Sequence, residues 1–145
     1  MTKKILISIM MFTNLILLDA QVNYSTGKKS AIKAYQDGIL SLNAKQYDQA
    51  ILHFNKAVSI DKSFIEAWLV MAQTYEEMKQ YREAVRIYHK GLQIDPEFHP
   101  YSFIIVGNLE FRLSKYEDAI KSYQAFLNTG SKNQKHIRAA SKNIE

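Results

Sequence analysis

The sequence predicts an all-α protein, an α-solenoid of three helix-turn-helix repeats with a C-terminal capping helix. Three observations lead there. Apolar residues recur at helical spacing from Ile65 to Pro96 on both sides of a break at Met78–Gln80. Trp68, Met71, Ala72 and Tyr75 precede the break, and Tyr81, Ala84, Tyr88 and Gly91 follow it. The pattern also returns along the chain. A step of 34 residues back turns Tyr81 into Tyr47, Ala84 into Ala50, Tyr88 into Phe54 and Gly91 into Ala57. A step of 35 forward turns Trp68 into Phe103, Met71 into Val106, Ala72 into Gly107, Ala84 into Ala119 and Tyr88 into Tyr123. A fixed period of this length marks stacked units, each burying its apolar face on the next. Composition agrees, because two prolines, five glycines and 47% apolar residues suit packed helices and argue against disorder.

The central pair shows large and small residues in alternation. Ala72, Ala84 and Gly91 let two backbones approach, while Trp68, Tyr75 and Tyr88 fill the space around them. This order resembles the tetratricopeptide repeat, whose signature runs W-x2-L-G-x2-Y, then A-x3-F, then P. Trp68, Met71, Ala72 and Tyr75 stand in its first part, Ala84 and Tyr88 at the A-x3-F, and Pro96 at the proline. The resemblance covers about residues 30–145 and implies a right-handed solenoid whose first helices line a concave groove.

Taken in order, residues 1–20 read as a secretory signal peptide. Lys3-Lys4 form a charged start, Ile5–Leu18 an apolar run of 14, and Ala20 a small residue before a cut ahead of Gln21. A membrane-spanning helix needs about 20 apolar residues, so cleavage is expected rather than a permanent anchor. Residues 21–29, QVNYSTGKK, are polar and aperiodic and are expected to form a flexible lead-in. Asn23-Tyr24-Ser25 within them fits a glycosylation sequon, a short match that matters only in a eukaryotic secretory route.

Three repeats are expected over 30–63, 64–98 and 99–130. The first should hold helices over Ser30–Asn43 and Tyr47–Ile60. Its Asp37 and Ser41 stand where large apolar residues would pack on a preceding repeat, and none precedes it. The third should hold helices over Tyr101–Leu113 and Tyr116–Asn128, after a longer turn at PEFHP, where both prolines disfavour helix in the preceding residue. Glu110 takes a position where an aromatic is usual, and Phe111 beside it is expected to assume part of that packing. Thr129-Gly130 is the stop, and Ser131 is the expected cap of a last helix over Lys132–Glu145. That segment, 131–145, is a capping helix or the start of a truncated fourth repeat, with Ile137, Ala140 and Ile144 on one face.

Composition and spacing then restrict the chemistry. No cysteine is present, which excludes disulfides, thiolate nucleophiles and acylation of a lipoprotein cysteine. His53, His89, His99 and His136 are scattered without metal-ligand spacing, and His53 and His89 are expected to face outwards on second helices. Glu76 and Glu77 are adjacent and point different ways, and Gly27-Lys28-Lys29 lacks the strand and glycine spacing of a phosphate loop. No enzyme activity, metal or cofactor is expected.

The net charge of +5 falls to +4 without residues 1–20. Part of it lies in the tail, where Lys132, Lys135, Arg138 and Lys142 face only Glu145. With no aromatic-and-basic cluster beside them, these read as a solvated face; no nucleic-acid partner is expected, and membranes only by association.

What remains is the concave surface that the resemblance implies. Its candidates are Tyr35, Ile39 and Leu42 in repeat one, Glu66, Leu69, Gln73 and Glu76 in repeat two, and Tyr101, Ile104, Asn108 and Phe111 in repeat three. Seven of the eleven are large and apolar, which suits a partner's apolar or helical segment, or a later part of the same chain. Tetratricopeptide domains that hold a chaperone's C-terminal carboxylate carry lysine, asparagine and arginine on this surface. Here Asn108 alone matches, beside Arg112, so that clamp is not expected. The signal followed by three repeats, with YSTGKKSAIKAY and PEFHPY, also resembles the start of Bacteroidetes-type OmpA-family envelope proteins. That resemblance implies residence in the periplasm or at the outer membrane, as a scaffold or as a docking spacer.

Overall fold

The computed structural model describes residues 23–144. The signal-type segment over 1–20 lies outside them. Among the described residues seven helices follow in order: α1 Lys29–Asn43, α2 Tyr47–Ile60, α3 Ile65–Glu77, α4 Tyr81–Ile94, α5 Tyr101–Arg112, α6 Tyr116–Asn128 and α7 Gln134–Lys142. There is no strand among the described residues. Helices α1 and α2, α3 and α4, and α5 and α6 pack as close pairs, and each pair leans on the next.

The turn inside each pair is built the same way. Lys45, Lys79 and Ser114 adopt left-handed backbone conformations, with φ of 57°, 59° and 60°. The next residue's N–H then returns to a carbonyl of the preceding helix: Gln46 to Ser41, Gln80 to Tyr75 and Lys115 to Glu110, at 2.8–2.9 Å. This arrangement satisfies the last helical carbonyls and reverses the chain within three residues. Each second helix opens with an acid in its first turn (Asp48, Glu83, Glu117 and Asp118), where the helix N-terminus favours negative charge.

Periodicity becomes packing at the expected positions. Ala50, Phe54 and Ala57 of α2, and Ala84, Tyr88 and Leu92 of α4, join Ala31, Ala34, Ala67, Met71 and Ala72 in one core. Gly91 sits against Leu69 and Trp68, close enough that a methyl there would lie 3.0 Å from Leu69 Cδ2. A second cluster holds Ile104, Ala119, Tyr123, Phe126 and Ala140, and Phe103 packs against both clusters. The turn between α4 and α5 is longer than that between α2 and α3, as the prolines require. It is held by the Asp95 carboxylate accepting from the Glu97 N–H, and by a 2.8 Å His99 Nδ1–Ser102 Oγ hydrogen bond.

Two expectations change. The last helix starts at Gln134 rather than Lys132, because Asn133, not Ser131, is its cap. Asn133 is extended, and its side chain accepts the His136 N–H at 3.2 Å. Ile137 and Ala140 of α7, with Ile144 just beyond it, dock on the second cluster.

The lead-in, expected to be flexible, is tied down over its described part. Tyr24 packs edge-on against Tyr35 and Phe64, with ring centroids 5.5 and 5.7 Å apart. Thr26 donates to Asp61, and Lys28 Nζ reaches the Ile60 carbonyl at 3.0 Å.

Candidate functional site

The first helices α1, α3 and α5 carry the candidate groove residues, and the concave side opens into two clefts. One, of about 270 Å3, has Tyr35, Glu66, Leu69 and Gln73 among its walls. The other, of about 470 Å3, lies beside α5 and α6 and is lined by Asn108, Phe111, Arg112, Tyr123 and Asn143, the last just past α7. Six of the eleven candidates therefore fall on a cleft, split between two separate sites.

The other five have different duties. Ile39 and Leu42 are half-buried and pack on the first core. Glu76 lies 3.4 Å from the Tyr88 hydroxyl. Tyr101 lies against the His136 ring, with centroids 4.5 Å apart. Ile104 is a correction: it is only 4% exposed and belongs to the cluster that α7 covers, so it cannot meet a partner. Ile105, one residue on, lines the first cleft instead. The run Phe103-Ile104-Ile105-Val106 is apolar all round, so periodicity alone gives no facing for it.

Val70, Tyr88, Phe98, His99, Ser102 and Ile105 complete the first cleft, and none of them was among the candidates the sequence offered. Phe98 stands on the proline-bounded turn, is 42% exposed, and supplies an aromatic surface where the sequence indicated only a loop. Burial also sets the chemistry of the tyrosines. The Tyr35 hydroxyl is pushed up to about 12, by burial first and then by Tyr24 and the Glu66 charge. Burial and Glu76 likewise push Tyr88 up. Both remain neutral donors across the physiological range.

Phe111 does not assume the packing that Glu110 vacates. It is 60% exposed and meets Tyr116 edge-on, with centroids 5.2 Å apart. Glu110 is itself buried, at 3% exposure, with the Ser122 hydroxyl donating to Oε2 at 2.6 Å and His89 Nε2 lying 3.2 Å from Oε1. His89 therefore turns toward the third repeat rather than simply outwards. Ser122 is itself only 5% exposed, so this buried serine–carboxylate–histidine group joins α4, α5 and α6 across two repeats. No group of three or more His, Cys, Asp or Glu that could hold a metal occurs among the described residues. No helix among them is long and apolar enough to cross a membrane.

This geometry can be set beside known proteins. Residues 41–102 match the tetratricopeptide repeat. The architecture is that of a tetratricopeptide solenoid, all-helical throughout its described residues. The chain is similar to superkiller protein 3 of Schizosaccharomyces pombe, 30% identical over 95 residues, which cover 66% of this chain and 7% of that protein. It thus spans a small part of that relative's length. Among solved structures it resembles the N-terminal domain of stress-induced protein-1 from C. elegans, with a TM-score of 0.72 and 19% identity. That match covers 79% of this chain and 94% of the other. It also resembles the first tetratricopeptide domain of Spaghetti (RPAP3), which was solved bound to the HSP90 peptide SRMEEVD. The TM-score is 0.67 and the identity 19%, over 82% of this chain and 94% of that one. At these identities the tetratricopeptide neighbours establish the fold.

Proposed function

We propose that this tetratricopeptide chain is a non-enzymatic protein-interaction scaffold that holds an apolar or helical segment of a partner protein on its concave side. The observation that carries the reading is the cleft bounded by Leu69, Ile105 and the exposed Phe98. A preformed apolar trough of this kind suits helix-in-groove recognition. Peptide binding by the Spaghetti domain supports the class of activity, and not the same ligand. Asn108, the one residue in common with a carboxylate clamp, accepts the Tyr123 hydroxyl at 2.8 Å and is already engaged.

The proposed place of work is outside the cytoplasm, on the strength of Lys3-Lys4, the apolar run Ile5–Leu18 and the small Ala20; the bacterial envelope is proposed on the resemblance of YSTGKKSAIKAY and PEFHPY alone. The test has two parts. Cell fractionation with N-terminal sequencing should give an envelope protein beginning at Gln21; a cytoplasmic protein beginning at Met1 rejects export. Crosslinking capture should lose its partner in a Phe98→Glu, Ile105→Asp variant whose circular dichroism is unchanged. Undiminished capture by that variant rejects the groove.

A second reading is an intramolecular docking spacer with no outside peptide. It is favoured by the chain's own use of its concave side, since α7 covers Ile104 and the lead-in engages Tyr35 and Glu66. Absence of any captured partner in envelope preparations would support it.

A further inference from the structure

The lead-in that precedes α1 behaves as a bound peptide rather than as a tail. It crosses from the start of α1 to the start of α3, and each of Tyr24, Ser25 and Thr26 meets a prepared partner. The Tyr24 ring lies edge-on to Tyr35 and Phe64. Ser25 makes the most telling contacts. Its backbone N–H donates to Glu66 Oε1 at 2.9 Å, its hydroxyl donates to Glu66 Oε2, and the same hydroxyl accepts the Ile65 N–H at 2.9 Å. Helix α3 has no side-chain cap of its own, because Phe64 occupies the cap position. Ser25 therefore caps α3 from 40 residues away. Thr26, 6% exposed, completes the set on Asp61, a carboxylate that also receives the Ser63 N–H and hydroxyl.

These recognising groups belong to the repeats, and the strap supplies only an extended aromatic-hydroxyl-hydroxyl sequence. We propose that Tyr35, Phe64, Glu66, Asp61 and the open N-terminus of α3 form a peptide site for an extended Tyr-Ser-Thr segment. In this chain the site is filled in cis by Tyr24-Ser25-Thr26, and it accepts the same segment in trans once the strap is released. Tyr35 and Glu66 are shared with the first cleft, so occupancy of the strap site sets the shape of that cleft's near wall. The proposal does not depend on what fills the rest of the cleft.

The competition is one of effective concentration. A short tether holds the strap at roughly millimolar local concentration, so a free peptide of the same sequence meets an occupied site. Weakening the strap raises the competent fraction and, with it, the apparent affinity in trans. The probe is a labelled peptide QVNYSTGKK, and the proteins are the 145-residue chain and its Tyr24→Ala, Ser25→Ala variant. The variant should bind the probe about tenfold or more tightly than the unaltered chain. A probe carrying the same two substitutions should not bind. A variant with unchanged circular dichroism that ignores the probe, or equal binding by both proteins, overturns the proposal. Should the variant lose its fold, hydrogen exchange at the Ile65 amide of the unaltered chain decides. Exchange faster than the core amides of Met71 and Ala72 supports a strap that opens, and exchange only by global unfolding rejects it. None of these readouts uses Phe98 or Ile105, so failure here leaves the groove reading standing.

Discussion

Gly107 faces the ring of Tyr123 so closely that a methyl group on it would lie 2.5 Å from Cε1. Gly38 stands in the same relation to Phe54 in the first repeat, also at 2.5 Å. The middle repeat carries Ala72 at the corresponding place, opposite Tyr88. There the tyrosine hydroxyl points toward Glu76, whereas the Tyr123 hydroxyl is held by Asn108. The residue equivalent to Glu76 in repeat three is Phe111, which offers no acceptor. A ring displaced by Gly107→Ala would thus strain or lose its hydrogen bond to Asn108. The expected cost of Gly107→Ala is about 1–3 kcal/mol in urea denaturation, with a similar loss for Gly38→Ala. Unchanged midpoints in both variants would contradict the packing described.

The three tight turns allow a gain. Lys45, Lys79 and Ser114 hold left-handed conformations that cost an L-residue about 1 kcal/mol or more. Glycine relieves that strain while adding freedom to the unfolded chain. Each substitution to glycine is expected to stabilise by about 0.5–1 kcal/mol, and the three turns are far enough apart to add. Thermal denaturation of the single and triple variants measures this; a triple variant with lowered Tm would refute it.

Strong acid should loosen the strap. The Ser63 and Thr26 hydroxyls and the Ser63 N–H hold the Asp61 carboxyl at about 2, against an ordinary 3.8. A folded-state value below the unfolded one contributes stability that is fully present above about pH 4 and is lost as pH falls toward 2. Asp61→Asn should flatten this part of the acid titration. Fluorescence of Tyr24 neighbours and the Ile65 amide shift, followed from pH 5 to pH 2, check it. A variant that keeps the full acid slope would assign the loss to other carboxylates.

The repeat itself was legible because its signals are local and redundant. Three copies of the aromatic-and-alanine pattern fix the helices, and Gly91, Ala72 and Gly107 mark where backbones must close. The clefts were less legible, for two physical reasons. An unbroken apolar run such as Phe103–Val106 has no polar side, so the choice of Ile105 over Ile104 is made by α7, a tertiary partner. Phe98 and the strap lie outside helical periodicity, and Ser25 gains its role from a helix 40 residues on. Composition marked QVNYSTGKK as a flexible lead-in, and only the start of α3, which lacks a cap from its own chain segment, shows what the Ser25 hydroxyl is for.

Glu110 is the strongest case of a residue whose role comes from neighbours in other elements. It stands where Tyr75 stands in the preceding repeat, yet it is buried, with Ser122 of α6 on one oxygen and His89 of α4 on the other. A buried carboxylate is tolerated when its oxygens are satisfied, and its removal strands the donors around it. Glu110→Ala also leaves space, so a loss of about 2–4 kcal/mol is expected. Glu110→Gln keeps an acceptor for Ser122 and should lose less. Ser122→Ala alone should cost about 1 kcal/mol. The decisive measurement is the double-mutant cycle between Glu110→Ala and Ser122→Ala by urea denaturation, because the two share one hydrogen bond. Coupling of about 1 kcal/mol or more is expected. Additivity to within about 0.3 kcal/mol would mean that this bond contributes nothing to the joining of α5 and α6.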